Sequence, residues 1–245
     1  MSVHSAWIAE QDWEHVLFLH WKIPKEKLQP FIEQPFQVET FENKAWVTIV
    51  LFQATNSKFR YFPKWTTYPS LTQINVRTYV RLGHFNETGV YFFSLNVNSL
   101  LGTIGAHLLY SLPFNYFNPS FKQNKQMPFI QYDLNDSKNR LFHVKYNGNK
   151  QSQNLNNELN RFLTERYCIL TKKGNKIIKI PLTHSPWILK NAEVQLKLSQ
   201  LSTKNFDTFL PERLRKMCNY EPAIAHYSRF KRTKLHFYKI IGIFK

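Results

Sequence analysis

The sequence predicts an α+β fold that is mainly antiparallel β, a barrel with a few packed helices. Segments with the period-2 or continuous apolar character of strands outnumber segments with helical character. The 245 residues contain no internal repeat and no stretch that reads as a domain linker. We therefore expect a single domain spanning residues 1–245, which is long enough to bury a substantial core.

The first half of the chain contains the clearest strand patterns. The segment Ala45 to Phe52 is nearly continuously apolar, which is typical of a strand buried on both faces. The expected strands here are Glu14 to Trp21, Phe36 to Thr40, Ala45 to Phe52, Thr72 to Leu82 and Val90 to Val97, the last two joined by a hairpin through Gly83 to Gly89. Helices are expected at Ile23 to Leu28 and Ser99 to Leu112, and a long loop at Asn56 to Leu71, which carries two prolines.

The second half of the chain continues the strand pattern with more polar connections. Gly148 to Asn157 is polar and loop-like, and we expect a mobile insertion there. Glu158 to Leu163 predicts a helical turn. The expected strands are Asn118 to Asp133, Asn139 to Asn147, Arg166 to Thr171, Lys176 to Pro181 and Thr233 to Phe244.

The strand Thr72 to Leu82 supplies the first candidate binding residues. Its alternation places one apolar side opposite a polar side formed by Gln73, Asn75, Arg77 and Tyr79. We expect the apolar side to pack beneath the Asn56 to Leu71 loop and Arg77 to face the interior, where its guanidinium can hold a carboxylate. The alternatives are a solvent-facing arginine or a structural ion pair with Glu39 or Glu165.

A second set of candidates lies at the Glu158 to Leu163 helix and at two histidines. In Glu165-Arg166-Tyr167, alternation sends Arg166 to the opposite side from its two neighbours. Arg166 is either a second anion contact or part of a buried ion pair. His20 and His184 are the most plausible titrating groups, although His20 follows an apolar strand and also fits a hydrogen-bonded core histidine.

Several kinds of chemistry are disfavoured by the motifs that the sequence lacks. It has no HxH, no HExxH and no paired cysteines, so we expect no metal and no cofactor. Ser94 lacks the glycines of a nucleophile elbow. Lys145 could serve as a reactive amine, but a lysine on an exposed strand face explains it equally well.

The charge and the termini bear on partners and location. The formal net charge is +17, which suits a polyanion partner such as nucleic acid or follows from compositional bias. The basic residues cluster only at Arg229, Lys231, Arg232 and Lys234. With no secretory segment and no apolar run of about 20 residues, we expect a soluble, cytoplasmic protein with Cys168 and Cys218 reduced.

Several local phrases together resemble one family, the uncharacterised bacterial YqjF-like proteins, which are distant relatives of acetoacetate decarboxylase. The resemblance covers nearly the whole chain in order. It rests on Leu19-His20-Trp21 with Pro24, Thr40 to Val47, Asn75 to Val80, Gly89 to Leu95, Phe162 to Tyr167, His184 to Trp187 and His226 to Ser228. It implies a cone-shaped antiparallel barrel around a small cavity that binds a small carboxylate or carbonyl compound.

The same resemblance points to chemistry that this chain has lost. Tyr110 to Asn115 resembles the end of a helix after which acetoacetate decarboxylases carry two lysines, one of them the Schiff-base nucleophile. The two lysine positions are occupied here by Phe114 and Asn115. Gln73 stands where the YqjF-like family usually has glutamate. Whether the protein is a lyase, a hydrolase-like relative, or a non-enzymatic protein that binds polyanions stays open at this point, as does its oligomeric state.

Overall fold

The computed structural model describes residues 6–61, 68–99, 112–123, 129–136, 139–148, 157–199 and 204–244. Fifteen strands lie in these ranges: β1 (Trp7–Ile23), β2 (Gln37–Val38), β3 (Ala45–Phe59), β4 (Leu71–Leu82), β5 (Glu87–Val97), β6 (Phe114–Tyr116), β7 (Ser120–Gln123), β8 (Ile130–Asp136), β9 (Asn139–Asn147), β10 (Cys168–Lys173), β11 (Lys176–Thr183), β12 (Lys190–Asn191), β13 (Glu193–Leu198), β14 (Ile224–His236) and β15 (Lys239–Ile243). The α-helices in the same ranges are α1 (Lys25–Leu28), α2 (Glu158–Thr164), α3 (Lys204–Phe209) and α4 (Glu212–Met217).

Seven of the described strands close into a barrel, in the order β14-β1-β3-β4-β5-β10-β11, with β11 pairing back onto β14. The pairings around this barrel are antiparallel except for β5 with β10. A separate four-stranded sheet has the order β13-β9-β8-β7. The predicted fold class, a mainly antiparallel barrel with few helices, is therefore confirmed.

The two faces of the barrel wall are different. One face packs against the four-stranded sheet and forms the main core, in which Ile49, Ile74 and Val76 join Tyr132 and Phe142. The apolar side of β4 thus packs on the second sheet, and the expectation that it lies beneath the Asn56 to Leu71 loop is wrong. The opposite face carries apolar clusters together with two histidines and an arginine, and we call it the histidine face.

A bulge in β1 decides which aromatic side chains reach the histidine face. In the pairing of β1 with β3, Glu14 lies opposite Gln53, but the next pair is Leu17 with Leu51. The extra residue reverses the alternation along β1. Trp13 therefore lies on the same side as Phe18, although the two are five positions apart, and it joins Phe18 in one buried cluster.

Several predicted boundaries differ from the observed ones. Polar residues extend β3 to Phe59 because Thr55 and Lys58 pair with β1, so part of the predicted Asn56 to Leu71 loop is strand. The Asn118 to Asp133 strand is two strands, β7 and β8, and the final strand is interrupted between His236 and Lys239. The elements that sequence reasoning missed are β6, β12, β13, α3, α4 and the part of β14 before Thr233.

Some predictions fall outside what the structure describes. The interiors of the Ser99 to Leu112 helix and of the Gly148 to Asn157 insertion lie outside the described residues. The single-domain organisation stays a prediction. Along the part of the chain that is described, no helix combines the length and apolar character needed to cross a membrane.

Candidate functional site

Strand pairing assembles a group of polar side chains on the histidine face. His20 of β1 pairs with Thr48 of β3, and Thr48 pairs with Arg77 of β4. On the other side of β1, Phe18 pairs with His226 of β14. Directly opposed residues of neighbouring strands share a face and lie close together. We call His20, Thr48, Arg77, Tyr79 and His226 the polar cluster.

A chain of hydrogen bonds links the polar cluster to helix α2. The His20 Nδ1 atom lies 2.9 Å from Thr48 Oγ1, which lies 2.8 Å from Tyr79 Oη. Tyr79 Oη donates to the carbonyl oxygen of Leu163 over 2.6 Å. Leu163 is in the last turn of α2, where carbonyl groups have no partner within the helix. Tyr79 therefore anchors the helix end to the barrel wall.

Arg77 also reaches this helix end, and its charge is not neutralised there. Its Nη2 atom donates to the Leu163 carbonyl oxygen over a long 3.3 Å, and the guanidinium lies 5.6 Å from the Phe18 ring and 5.8 Å from the Tyr79 ring. Its Nε atom is buried and has no hydrogen-bond partner among the described residues. Burial lowers the pKa of Arg77, and the positive charge of Arg166 lowers it further.

No carboxylate of the described residues compensates Arg77. Among the described side chains, no acidic group lies within the 4.0 Å of a salt bridge to its guanidinium. The segments outside the described residues contain no aspartate or glutamate in their sequence. The predicted alternative of an ion pair with Glu39 or Glu165 is therefore wrong, and Arg77 is not extended into solvent. Its role as a ligand anchor stays a prediction.

The two histidines of the polar cluster are buried and uncharged at neutral pH. Their rings lie 5.4 Å apart in an edge-on arrangement. Burial lowers the pKa of His20 well below its usual value, with smaller contributions from His226 and Arg77, and burial lowers the pKa of His226 to about 4. His20 Nε2 and His226 Nδ1 have no hydrogen-bond partner among the described residues. Sequence reasoning did not select His226, although it lies in the His226 to Ser228 phrase of the family resemblance.

Arg166, in contrast, has a carboxylate partner. Its Nη1 atom lies 2.8 Å from Glu39 Oε2, its Nε donates to the Phe162 carbonyl over 2.7 Å, and its guanidinium covers the Tyr79 ring at 4.9 Å. These are the contacts of the buried ion pair that the sequence left as one of two interpretations. The predicted anion contact at Arg166 stays untested.

The remaining candidates form a neighbouring group. Glu165 accepts hydrogen bonds from the Trp187 backbone N–H at 2.7 Å and from Tyr167 Oη at 2.5 Å. His184 donates from Nδ1 to the Ser185 carbonyl over 2.8 Å and stacks on Tyr167 at 4.7 Å. Trp187 contacts His184 at 5.2 Å and Phe18 at 4.9 Å, so aromatic rings connect this group to the polar cluster.

The other candidate residues of β4 lie on the histidine face, and the residues at the two lysine positions of acetoacetate decarboxylases lie beside β5. Asn75 is buried on the histidine face, and its Oδ1 has no partner among the described residues. Gln73 is half-buried on the same face. Phe114 and Asn115 lie in β6, paired with Leu95 and Asn96 of β5, and both are half-buried. No amine stands at either position.

The alternative reactive groups have structural contacts. Lys145 lies on β9 in the second sheet, with its Nζ 4.4 Å from the Phe129 ring. Ser94 donates to the Phe209 carbonyl over 2.6 Å. Cys168 and Cys218 are free and buried, and burial raises the pKa of both thiols, to about 12 for Cys218. Within the described ranges, no group of three or more metal-ligating side chains comes together.

The basic cluster near the end of the chain is largely engaged. Lys231 is buried, and its Nζ donates to Ser185 Oγ at 3.1 Å and to the Pro186 carbonyl at 2.5 Å. Arg232 binds both carboxylate oxygens of Asp12, at 2.7 and 3.0 Å. The Nζ atom of Lys234 is 3.2 Å from a Glu10 oxygen. Of the four basic residues, only Arg229 is exposed without a described ion pair.

Comparisons with known proteins agree with this architecture. The "Uncharacterized protein YqjF" of Bacillus subtilis (strain 168) is 31% identical over 208 residues, covering 84% of each chain. Among solved structures, acetoacetate decarboxylase from Legionella pneumophila has a TM-score of 0.67 at 11% identity, covering 96% of this chain and 87% of its own. The enduracididine biosynthesis enzyme MppR, complexed with pyruvate, has a TM-score of 0.66 at 8% identity, with coverages of 99% and 93%.

An acetoacetate decarboxylase-like enzyme from Sphingomonas wittichii RW1 has a TM-score of 0.66 at 9% identity and covers 97% of this chain and 94% of its own. At these identities the solved structures establish the fold alone. The model of the family DUF2071, described as "Uncharacterized conserved protein (COG2071)", matches residues 10–230. This chain therefore belongs to the DUF2071 family and has the acetoacetate decarboxylase-like fold.

Proposed function

We propose that the protein binds a small organic molecule with a carboxylate or carbonyl group at the polar cluster, with Arg77 as the anchor and without Schiff-base chemistry. The observation that carries this proposal is a single one. Arg77 is half-buried with its Nε atom fully buried, and no carboxylate of the described residues neutralises its guanidinium.

An unneutralised charge in this position costs several kcal/mol. A guanidinium presents parallel N–H donors that match the two oxygens of a carboxylate. A carboxylate ligand would supply the missing counter-charge and could also engage the unpartnered Nε atom of Arg77. The free energy that the apo protein loses through this arginine would then be recovered on binding.

Other unpartnered polar atoms support the location. His20 Nε2, His226 Nδ1, Asn75 Oδ1 and Ser228 Oγ are all buried on the histidine face without a partner among the described residues. Buried polar groups in proteins are nearly always hydrogen-bonded, so several such atoms on one face indicate a ligand or water site. The structural relative MppR is described in complex with pyruvate, a small carboxylate that also carries a ketone.

The proposal leaves out Schiff-base chemistry because of the residues at the two lysine positions of acetoacetate decarboxylases. Phe114 and Asn115 carry no amine. A lysine nucleophile must also be desolvated or pressed by another cation to be reactive at neutral pH. Lys145 meets neither condition in its contacts, since its Nζ lies over the Phe129 ring in the second sheet.

The second candidate function, a basic surface for a polyanion, finds less support. Lys231 is buried, and Arg232 and Lys234 lie beside Asp12 and Glu10. Paired cations release fewer counterions on binding nucleic acid than free ones, so this surface would bind weakly. The +17 charge is then a property of composition rather than of a built site.

Binding measurements test the proposal. We expect acetate, pyruvate and acetoacetate to bind in titration calorimetry and Arg77→Ala to weaken the affinity by about tenfold or more, because a hydrogen-bonded charge is worth about 1.5–3 kcal/mol. Arg81→Ala is the matched control, since Arg81 is an exposed arginine on the same strand. Equal affinities for the wild type and Arg77→Ala would refute the anchor role.

A further inference from the structure

We infer that His20 accepts a hydrogen bond from the ligand through Nε2, so that the site takes a hydroxycarboxylate in preference to the corresponding oxo acid. This inference rests on the proposed function and names its ligand class. It follows from the direction of the hydrogen bonds in the polar cluster.

The donor and acceptor of each hydrogen bond can be assigned by starting from the Leu163 carbonyl at the end of α2. The Leu163 carbonyl oxygen can only accept, so Tyr79, 2.6 Å away, must use its single hydroxyl proton there. The Tyr79 oxygen then accepts from Thr48, 2.8 Å away, which uses the only proton of the threonine hydroxyl. Thr48 Oγ1 must in turn accept from His20 Nδ1 at 2.9 Å. His20 therefore carries its proton on Nδ1.

This assignment leaves a lone pair on His20 Nε2. The ring is fully buried, and burial keeps its pKa well below the usual value, so the second nitrogen stays unprotonated at neutral pH. Nε2 has no partner among the described residues. A buried acceptor without a donor is costly, so the site favours a ligand that brings a donor.

The His20 ring and the Arg77 guanidinium are neighbours in the polar cluster. His20 and Arg77 flank the same aromatic ring: the His20 ring stacks with Phe18 at a centroid distance of 6.0 Å, and the Arg77 guanidinium is 5.6 Å from that centroid. The strand that separates them contributes Thr48, which pairs with both. A ligand whose carboxylate meets Arg77 can thus present a second group to His20.

The charge of the site selects the kind of donor. The guanidiniums of Arg77 and Arg166 both lie near the Tyr79 ring, at 5.8 and 4.9 Å from its centroid, and Glu39 is already paired with Arg166. An ammonium group of the ligand would meet these positive charges without a free carboxylate among the described residues. A neutral hydroxyl can donate without that repulsion. An oxo group cannot donate at all and would face the Nε2 lone pair.

Matched pairs of ligands test the inference. We expect the wild type to bind lactate about tenfold more tightly than pyruvate, and 3-hydroxybutyrate about tenfold more tightly than acetoacetate, because a site with a buried polar group rejects the analogue that leaves it unpaired. His20→Phe should remove this preference, because it removes the Nε2 acceptor. Thr48→Val removes the acceptor that orients His20 and should reduce the preference.

The tautomer of His20 can also be measured directly. A long-range proton–nitrogen correlation spectrum of wild-type protein with labelled histidine, assigned by comparison with His20→Phe, should show His20 protonated on Nδ1. If His20→Phe does not fold, the Thr48→Val titration carries the test.

The outcomes separate the two proposals. Arg77-dependent binding without any preference for the hydroxy acid overturns the inference and leaves the proposed function standing. A spectrum with His20 protonated on Nε2 also overturns the inference alone. If none of the acids binds in an Arg77-dependent manner, the proposed function fails and the inference fails with it.

Discussion

Replacing Arg77 by methionine should stabilise the ligand-free protein and abolish its response to carboxylates. Methionine keeps an unbranched stem of similar course and removes the charge. The substitution loses one long hydrogen bond of 3.3 Å to Leu163 and two ring contacts beyond 5.5 Å. These are worth about 1 kcal/mol for the hydrogen bond and about 0.5–1 kcal/mol for each ring.

Against this loss stands the cost of a half-buried charge without a carboxylate, which is several kcal/mol for a buried ion and is reduced here by partial exposure to about 4–5 kcal/mol. The balance favours methionine by about 2 kcal/mol. In a chain of this length, that corresponds to an increase in Tm of about 4–8 °C. Arg77→Ala should be less stable than Arg77→Met, because it also removes the packing of the stem. Arg81→Met, at an exposed position of the same strand, should change stability by no more than about 0.5 kcal/mol.

Urea unfolding of each variant with and without 3-hydroxybutyrate is the assay. A ligand at about a hundred times its Kd adds about 2.7 kcal/mol to the wild type and nothing to a variant that does not bind it. The order of stability should therefore reverse when the ligand is added. The reasoning is refuted if Arg77→Met is less stable than the wild type by 1 kcal/mol or more without ligand, or if the ligand stabilises both proteins equally.

Two further predictions concern acid stability and covalent chemistry. The folded protein keeps His226 neutral to a pKa of about 4, whereas the unfolded chain binds the proton near 6.5, so His226 should account for a loss of about 3 kcal/mol in stability as pH drops through this window. Urea titrations of His226→Gln should lack that part of the loss; an unchanged pH profile would contradict the assignment. Borohydride with pyruvate or acetoacetate should leave the intact mass unchanged, and an adduct on Lys231, Lys145 or any other lysine would show that an amine has replaced the one lost at Phe114 and Asn115.

The part of the site that lies on one strand could be predicted from the sequence. Asn75, Arg77 and Tyr79 share a face because side chains alternate along a strand, and this needs no knowledge of the neighbours. The pairing of His20 with Thr48 and of His226 with Phe18 depends on the register of strands far apart in the chain. Register is set by the whole sheet, and no local pattern in the sequence reveals it.

Other parts of the fold could not be predicted because they depend on irregular backbone or on contacts distant in the sequence. The bulge between Glu14 and Leu17 moves Trp13 to the histidine face, against the simple alternation of β1. Polar residues such as Thr55 and Asn56 continue β3 because they bond to Glu14 and Asp12 of β1. A strand with this composition reads as a loop. The ion pair of Arg166 with Glu39 joins residues 127 positions apart, and it too became visible only in three dimensions.

The two arginines of this region differ in whether a carboxylate neutralises them, and this difference underlies the proposed role of Arg77. Both contact the Tyr79 ring, and both donate to carbonyls in the last turn of α2. Arg166 has Glu39 at 2.8 Å, so its charge is neutralised whether or not a ligand is present. Arg77 has no such partner among the described residues, and the positive charge of Arg166 nearby adds to its cost. A protein that needed both arginines only to hold α2 would gain stability from a second carboxylate or an uncharged side chain. Arg77 is instead retained without a counter-charge among the described residues, beside an unprotonated histidine nitrogen. This is the arrangement expected of a site that binds an anion carrying its own hydrogen-bond donor.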